Sequence, residues 1–272
     1  MVSEEMRQKY KKTIDEFTLM DDTFMSAVFS EQNELCEMLL HIILGNDKIK
    51  VIKSIGQYSI KNLQGHSSAL DIYCVDENGR HFNVEVQRKD AGAVPQRARY
   101  YVGIIDAKHF CAGEEYIKLD DTYVIFITEN DVLKGGLPIY HISRFIEESG
   151  EPFVDGAKIV YVNGSIRSTA TALGSLMHDF FCKNAKDIIN KKLADRVRGF
   201  KEEEGGRDEM CELMQKIADE AAAEAAAKAA AEAEYKKSVE IAKGFLADGV
   251  SVEMVAKNTK LPLEEVKALY AN

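Results

Sequence analysis

The stretch that decides the fold runs from Ala69 to Lys89 and reads ALDIYCVDENGRHFNVEVQRK. Two segments rich in β-branched and aromatic residues, 70–75 and 81–87, flank the sequence DENG at 76–79. An Asn-Gly step readily adopts the positive φ angles that tight hairpin turns require. The stretch therefore predicts a β-hairpin.

The second arm places its polar side chains on one face, because successive side chains of a strand alternate between two faces. Asn83, Glu85 and Gln87 would project together, opposite the apolar residues at 82, 84 and 86. Pairing of the two arms would bring Asp71 to the same point. Converging carboxylates suit a hard divalent cation such as Mg²⁺, although the same residues also fit the polar face of an ordinary half-exposed strand pair.

An Asp on one strand followed by Glu-x-Gln on the next resembles the core motif of the PD-(D/E)XK nuclease superfamily, with Gln87 in place of the usual lysine. The surrounding residues are similar to one branch, the Rpn family of recombination-promoting nucleases, also called PD-(D/E)XK nuclease family transposases. Other segments match that branch in the same order along most of the chain. They are DTF at 22–24, VF at 28–29, QRARYY at 96–101, GEEY at 113–116, YVIFIT at 123–128, YVNG at 161–164 and MHDF at 177–180.

The resemblance implies an α/β fold with a restriction-endonuclease-like core, in which helices flank a central mixed β-sheet, and a helical C-terminal extension. It also implies that Asp71 and Glu85 are metal ligands, with the backbone carbonyl of Val86 as a third, and that the cofactor is Mg²⁺ or Mn²⁺. Gln87 would complete the catalytic set by hydrogen-bonding the attacking water, although an amide cannot supply positive charge.

The same resemblance implies an additional acidic ligand on the helix that precedes the sheet. Glu34 and Glu37 are the candidates, since both lie on the predicted helical stretch that ends at Gly45. A glutamate at either position also fits a solvated helix face.

The net charge of −10 argues against non-specific attraction of the whole molecule to nucleic acid. Basic residues nevertheless follow the second arm closely, and Arg88, Lys89, Arg97 and Arg99 are the candidate DNA contacts. On the helix predicted to begin at Pro95, the side chains of Arg97 and Arg99 would diverge by about 200°, so only one would face the site.

The five cysteines are odd in number and lack C-x-x-C spacing, which argues against zinc and against a disulfide framework. The chain has no apolar run of membrane-spanning length, and its charged first residues lack the apolar core of a signal peptide. We therefore expect a cytoplasmic protein that does not associate with membranes.

Hydrophobic periodicity gives the order of elements. Helix is expected from about Glu4 to Gly45, then a strand region at 48–60, a turn at 62–66 and the hairpin. Further elements are expected as a helix from Pro95 to Phe110, a buried strand at 123–128, short strands at 138–145 and 157–162, and a helix at 173–192. The adjacent pair His178-Asp179 is better explained by packing or a structural hydrogen bond than by catalysis.

The C-terminal composition predicts three parts: a nuclease-like domain at 1–200, a charged, Ala-rich helical arm or linker at 201–238, and a small helix-turn-helix-like unit at 239–272. Alanine favours helix, and such a segment makes a semi-rigid spacer. The last helix is acidic, which favours a protein partner over DNA, and the C-terminal helices are candidates for forming a homo-oligomer.

Two functions from different classes fit these residues. The first is a Mg²⁺-dependent DNA endonuclease that acts in recombination or transposition-like events. The alternative is a non-catalytic DNA- or protein-binding module that retains the nuclease fold. The chain contains no Gly-rich phosphate loop, no H-E-x-x-H and no G-x-S-x-G. It therefore lacks the sequence motifs of phosphate-loop enzymes, zinc metalloproteases and α/β-hydrolases.

Overall fold

The computed structural model of the chain describes residues 2–60 and 68–270, so the turn predicted at 62–66 lies outside the described residues. Two compact units make up the chain, Met1–Glu212 and Leu213–Asn272. Within residues 2–60 and 68–270, every helix is too short or too polar to cross a bilayer.

A six-stranded mixed sheet forms the centre of the first unit, with the strand order β1-β2-β3-β4-β6-β5. The strands are β1 (Val51–Ile60), β2 (Ser68–Asp76), β3 (His81–Gln87), β4 (Thr122–Thr128), β5 (Ile139–Ile142) and β6 (Ala157–Asn163). β1, β2 and β3 pair antiparallel, β4 pairs parallel with both β3 and β6, and β5 pairs antiparallel with β6. The sheet and its flanking helices confirm the predicted mixed α/β fold.

The predicted hairpin is present as β2 and β3. Gly79 in its turn has φ +81°, a conformation that glycine adopts without strain. The paired residues run from Val75 opposite His81 to Ile72 opposite Val84. Asp71 and Glu85 are therefore the first residues beyond the paired part of the hairpin, at the end away from the turn.

The predicted N-terminal helical stretch consists of three helices, α1 (Glu4–Glu16), α2 (Asp22–Phe29) and α3 (Asn33–Leu44), and Gly45 ends the last with φ +62°. Phe24 and Phe29 of α2 are fully buried. Phe24 packs edge-on against Phe200 of a later helix, and Phe29 packs against Phe180. These contacts hold α2 beside the sheet, where it touches β1, β2 and β3.

The helix after the hairpin, α4 (Pro95–His109), begins with proline at its first position, as predicted. It covers one face of the sheet. Its buried residues Tyr101 and Ile105 belong to the same apolar cluster as Tyr73 of β2 and Phe126 of β4.

The helix predicted at 173–192 is two helices, α5 (Ala172–Phe180) and α6 (Lys191–Glu202). The carboxylate of Asp179 accepts hydrogen bonds from the amides of Ile189 (2.7 Å) and Asn190 (2.9 Å). These bonds fold the chain back before α6 starts, and the side chain of Asn190 caps that start. Asp179 thus makes the structural hydrogen bond expected of the His178-Asp179 pair.

After α6, the chain continues as α7 (Glu204–Ala247), α8 (Val252–Thr259) and α9 (Leu263–Tyr270). The break between α6 and α7 is limited to Glu203, and α7 runs without a break past position 238, where the predicted arm ends. A small apolar core joins the end of α7 to α8 and α9, and consists of Ala242, Leu246, Val255, Leu261 and Val266. A protein partner and a homo-oligomer for these helices stay predictions.

Candidate active site

The two acids of the hairpin lie where β2 and β3 separate, and each bonds to the other strand. The amide of Asp71 donates to Glu85 Oε1 at 3.2 Å. The amide of Val86 donates to Asp71 Oδ2 at 2.9 Å. The carboxylates therefore fill the gap between the strand ends, as the pairing of the arms predicts.

Both acids are buried, Asp71 with 7 % and Glu85 with 0 % of its surface exposed. Burial raises the pKa of each carboxyl, because it removes water from the charged form. The charge of Asp71 raises the pKa of Glu85 further. The pair is consequently short of positive charge when both groups are ionised.

The backbone of Val86 and the side chain of Gln87 complete the end of β3. The N–H and C=O of one strand residue point to the same edge, so the carbonyl of Val86 faces the gap that its amide reaches. Gln87 is half-buried, and its Oε1 accepts a hydrogen bond from Arg97 at 3.4 Å. The following loop comes so close that a Cβ on Gly92 would lie 1.9 Å from Gln87 Oε1.

Arg97 is the basic residue that reaches the site. Its Nη2 lies 3.4 Å from Glu85 Oε2, and its Nη1 donates to the carbonyl of Gly92 at 2.9 Å. The hydroxyl of Tyr101, one turn along α4, accepts from its Nε at 2.8 Å. Arg99 is exposed, so only one of the two arginines faces the site, as the helical spacing predicts.

The other two candidate DNA contacts differ from each other. Arg88 binds the segment between α1 and α2, since its guanidinium donates to Thr18 Oγ1 and to Asp21 Oδ2, both at 2.9 Å. Lys89 is exposed and, like Arg99, forms no ion pair with any residue in the described ranges. Arg88 therefore has a structural role that the sequence did not indicate.

The two glutamates expected as additional ligands are engaged elsewhere. Glu37 Oε1 accepts from the amide of Val51 at 3.0 Å, and Val51 pairs with Asp76 at the far end of β2 from Asp71. Glu34 forms an ion pair with Lys192, and its side chain is 77 % exposed. The structure therefore does not bring either glutamate to the buried pair.

The acid that approaches from a preceding helix is Asp22, at the start of α2. Its charge contributes to the raised pKa of Asp71. On the same helix, Ser26 Oγ donates to the backbone carbonyl of Asp71 at 2.8 Å and accepts from Gln57 Nε2 at 2.9 Å. The segment DTF at 22–24 contained the signal for Asp22, but Ser26 and Gln57 had none, because their roles depend on how α2 meets the sheet.

Asn83 lies two residues before Glu85 on the same face of β3, and none of its surface is exposed. Its Nδ2 and Oδ1 have no hydrogen-bond partner among residues 2–60 and 68–270. The amide is nevertheless close enough to Glu85 to lower the pKa of that carboxyl, against the larger effect of burial.

The donor set fits a divalent cation. Two adjacent buried carboxylates and a backbone carbonyl are hard oxygen ligands, which Mg²⁺ and Mn²⁺ prefer. The site has a single guanidinium among the described side chains, 3.4 Å from one of these carboxylates. A cation held between Asp71 and Glu85 would offset the repulsion that raises their pKa values.

Comparison with known proteins identifies the family of the chain. A family model described as PD-(D/E)XK nuclease family transposase matches residues 19–165, which include Asp22, Asp71, Glu85, Gln87 and Arg97. No curated protein and no solved structure matches the chain. The match covers more than half of the chain and the whole candidate site, and the chain therefore belongs to the PD-(D/E)XK nuclease family transposases.

Proposed function

We propose that this protein is a Mg²⁺- or Mn²⁺-dependent DNA endonuclease, which hydrolyses phosphodiester bonds in recombination or transposition-like events. The observation that supports it best is the pair of buried acids at the end of β2 and β3, each of which accepts a hydrogen bond from a backbone amide of the other strand. Among the described residues, two buried acids with raised pKa values lie beside a single guanidinium, an arrangement typical of sites that bind a cation or carry out acid–base chemistry.

Asp71, Glu85 and the carbonyl of Val86 would hold the ion in this proposal. Asp22 would add a third carboxylate from α2. A divalent cation, when bound, lowers the pKa of a water molecule that it binds and stabilises the charge that develops on the phosphate of the substrate. The hydrogen bonds from the amides of Asp71 and Val86 would keep the two ligand side chains from rotating away.

Gln87 and Arg97 would together replace the lysine that the superfamily commonly has at position 87, one by positioning water and the other by supplying positive charge. The amide of Gln87 can hydrogen-bond the attacking water but carries no charge. Arg97, which contacts Gln87 at 3.4 Å, would supply the positive charge beside it. Lys89 and Arg99, both exposed next to this site, would contact DNA phosphates and so offset the acidic net charge locally.

Nicking of supercoiled plasmid tests the proposal. We expect the wild-type protein to relax the plasmid with Mg²⁺ and to be inactive in EDTA. Asp71→Ala and Glu85→Gln should both abolish nicking, whereas Glu37→Gln, which changes an acid bound elsewhere, should not. Full activity in Glu85→Gln would contradict the assigned chemistry. Wild-type protein that binds DNA but never cleaves it would favour the non-catalytic alternative.

A further inference from the structure

Asn83 is a buried polar side chain that forms no hydrogen bond of standard geometry with any described residue, although its amide lies close to the Glu85 carboxyl. It is fully buried, and both polar atoms of its amide are without a partner in the described part of the chain. Burying an amide without hydrogen bonds is unfavourable, and native proteins seldom tolerate it. The unfavourable burial of this amide therefore requires an explanation.

The neighbours of Asn83 limit the groups to which its amide could bond. In the sheet register it lies between Tyr73 of β2 and Val124 of β4. The hydroxyl of Tyr73 already bonds to His81 at 2.6 Å and to His109 at 2.9 Å, and Val124 is apolar. The hydroxyl of Tyr101 on α4, which covers this face, is bonded to Arg97, and the carboxylate of Glu85 lies two residues along the same strand.

Glu85 can take a further hydrogen bond. Its Oε1 accepts from the amide of Asp71, and its Oε2 faces Arg97 at 3.4 Å. An ionised carboxylate has about four acceptor positions, so both oxygens have capacity left. In a metal site the ligating carboxylates are commonly fixed by such hydrogen bonds from side chains that do not touch the ion.

We propose that Asn83 is a positioning residue for Glu85: when a divalent cation is bound, the Nδ2–H of Asn83 donates to the Glu85 carboxylate and holds it toward the ion. The inference rests on the proposed metal-dependent function. It explains why an amide occupies an apolar position, since its partner is the metal-bound form of Glu85. A leucine at this position would suit the metal-free protein at least as well.

The experiment measures two quantities for each variant, the affinity for Mn²⁺ by calorimetric titration and the stability in EDTA by urea unfolding. Asn83→Leu should weaken Mn²⁺ binding about 10- to 100-fold, as losses of such supporting hydrogen bonds do, without lowering stability in EDTA. Asn83→Ala removes the amide without adding apolar bulk, and it should show the same loss of affinity.

Asn163→Leu is the matched control. Asn163 is also a buried strand asparagine, but its amide is fully used: Nδ2 donates to the carbonyl of Leu137, and Oδ1 accepts from the amide and hydroxyl of Ser165. This variant should lose stability in EDTA and, while folded, keep the wild-type affinity for Mn²⁺.

The outcomes separate the two proposals. Wild-type affinity in Asn83→Leu and Asn83→Ala would overturn the positioning role alone. A large loss of stability in EDTA, or failure of both variants to fold, would also overturn it, because the amide would then be satisfied in the metal-free protein. Absence of Mn²⁺ binding by the wild-type protein would overturn the proposed function together with this inference.

Discussion

The two ends of the β2–β3 hairpin each bury an acid, but only one end satisfies it. At the turn, Asp76 is fully buried, and its Oδ1 accepts from the amides of Asn78 and Arg80 at 3.0 and 2.9 Å. Its Oδ2 accepts from Arg80 Nε at 2.7 Å and pairs with Nη2 at 2.6 Å. At the other end, Asp71 and Glu85 each accept a hydrogen bond from one backbone amide, and Glu85 has a longer contact to Arg97 at 3.4 Å.

The difference separates a structural acid from a functional one. Burial alone does not distinguish the two ends, because Asp76 and Glu85 are equally inaccessible. What distinguishes them is whether the protein provides the compensating donors and charge. Where it provides both, the acid stabilises the turn. Where it does not, the proposed metal ion would be the missing partner.

Replacing each acid should give the largest contrast. Asp76→Ala leaves Arg80 without its buried partner, and removing one member of a buried ion pair costs about 3–5 kcal/mol of the free energy of unfolding. Glu85→Gln should leave that free energy unchanged or raised, because it removes charge repulsion. Urea unfolding in EDTA measures both. Equal losses in the two variants would remove the distinction between the ends.

The pH dependence of stability should show the same contrast. Because burial raises the pKa values of Asp71 and Glu85, the folded protein binds more protons than the unfolded chain from about pH 4 up to those raised values. The free energy of unfolding of the metal-free protein should therefore fall as pH rises through this range, by up to about 1.4 kcal/mol per pH unit for each carboxyl.

Glu85→Gln should reduce this slope, because it removes one of the two carboxyls with a raised pKa. Unfolding titrations from pH 4 to pH 9 with EDTA measure the slope directly. A free energy of unfolding that rises with pH in this window, for the wild-type protein, would contradict the raised pKa values.

A glycine at each end sharpens the comparison further. Gly92→Ala would push the side chain of Gln87 aside, because the new Cβ would lie 1.9 Å from its Oε1. Displacement of a catalytic group by about 1 Å can reduce a rate about 100-fold. We expect nicking to fall by about tenfold or more with little change in stability.

Gly79→Ala should act in the opposite way. Its φ of +81° disfavours alanine, and the new Cβ would lie 2.9 Å from the carboxylate of Asp120, so stability should fall by about 1–2 kcal/mol while nicking persists. Plasmid nicking and thermal unfolding of both variants test the pair. Loss of nicking in the Gly79 variant, while it is folded, would show that the two ends are coupled.

The smallest effect concerns the exposed cations beside the site. Arg99→Ala and Lys89→Ala should each weaken DNA binding about equally for all sequences and reduce the log–log salt slope by about 1 per lost phosphate contact. Lys50→Ala, at the turn end, should not change that slope. Binding measured across a salt series, with Ca²⁺ replacing Mg²⁺, checks this. An unchanged slope in both site variants would place the DNA elsewhere.

The hairpin was predictable because its signals are local. The Asn-Gly turn and the alternation of residues 81–87 fix both the pairing and the shared face of Asp71 and Glu85. Pro95 and Gly45 mark their helix ends for similarly local reasons. Hydrophobic periodicity indicated the order of the remaining elements, and the family resemblance implied a metal-binding role for the two acids.

What the sequence did not indicate depends on contacts between distant residues. The break in the predicted helix at 173–192 arises from hydrogen bonds of Asp179 to amides ten and eleven residues later. Tertiary packing places Glu37 where it accepts a hydrogen bond from the amide of Val51, away from the site. Ser26 reaches Asp71 across 45 residues, and no pattern near Ser26 shows this.

Arg88 connects the end of β3 to the segment that precedes α2, so the assembly of the site depends on the docking of α2. It directly follows Gln87, the last residue of β3, and it bonds to Thr18 and Asp21 across 67 to 70 positions, next to Asp22. A chain that has formed its hairpin but not yet docked α2 has two of the acids without the third. If the protein is the proposed nuclease and needs all three acids, a nascent or partly unfolded molecule would not cut DNA.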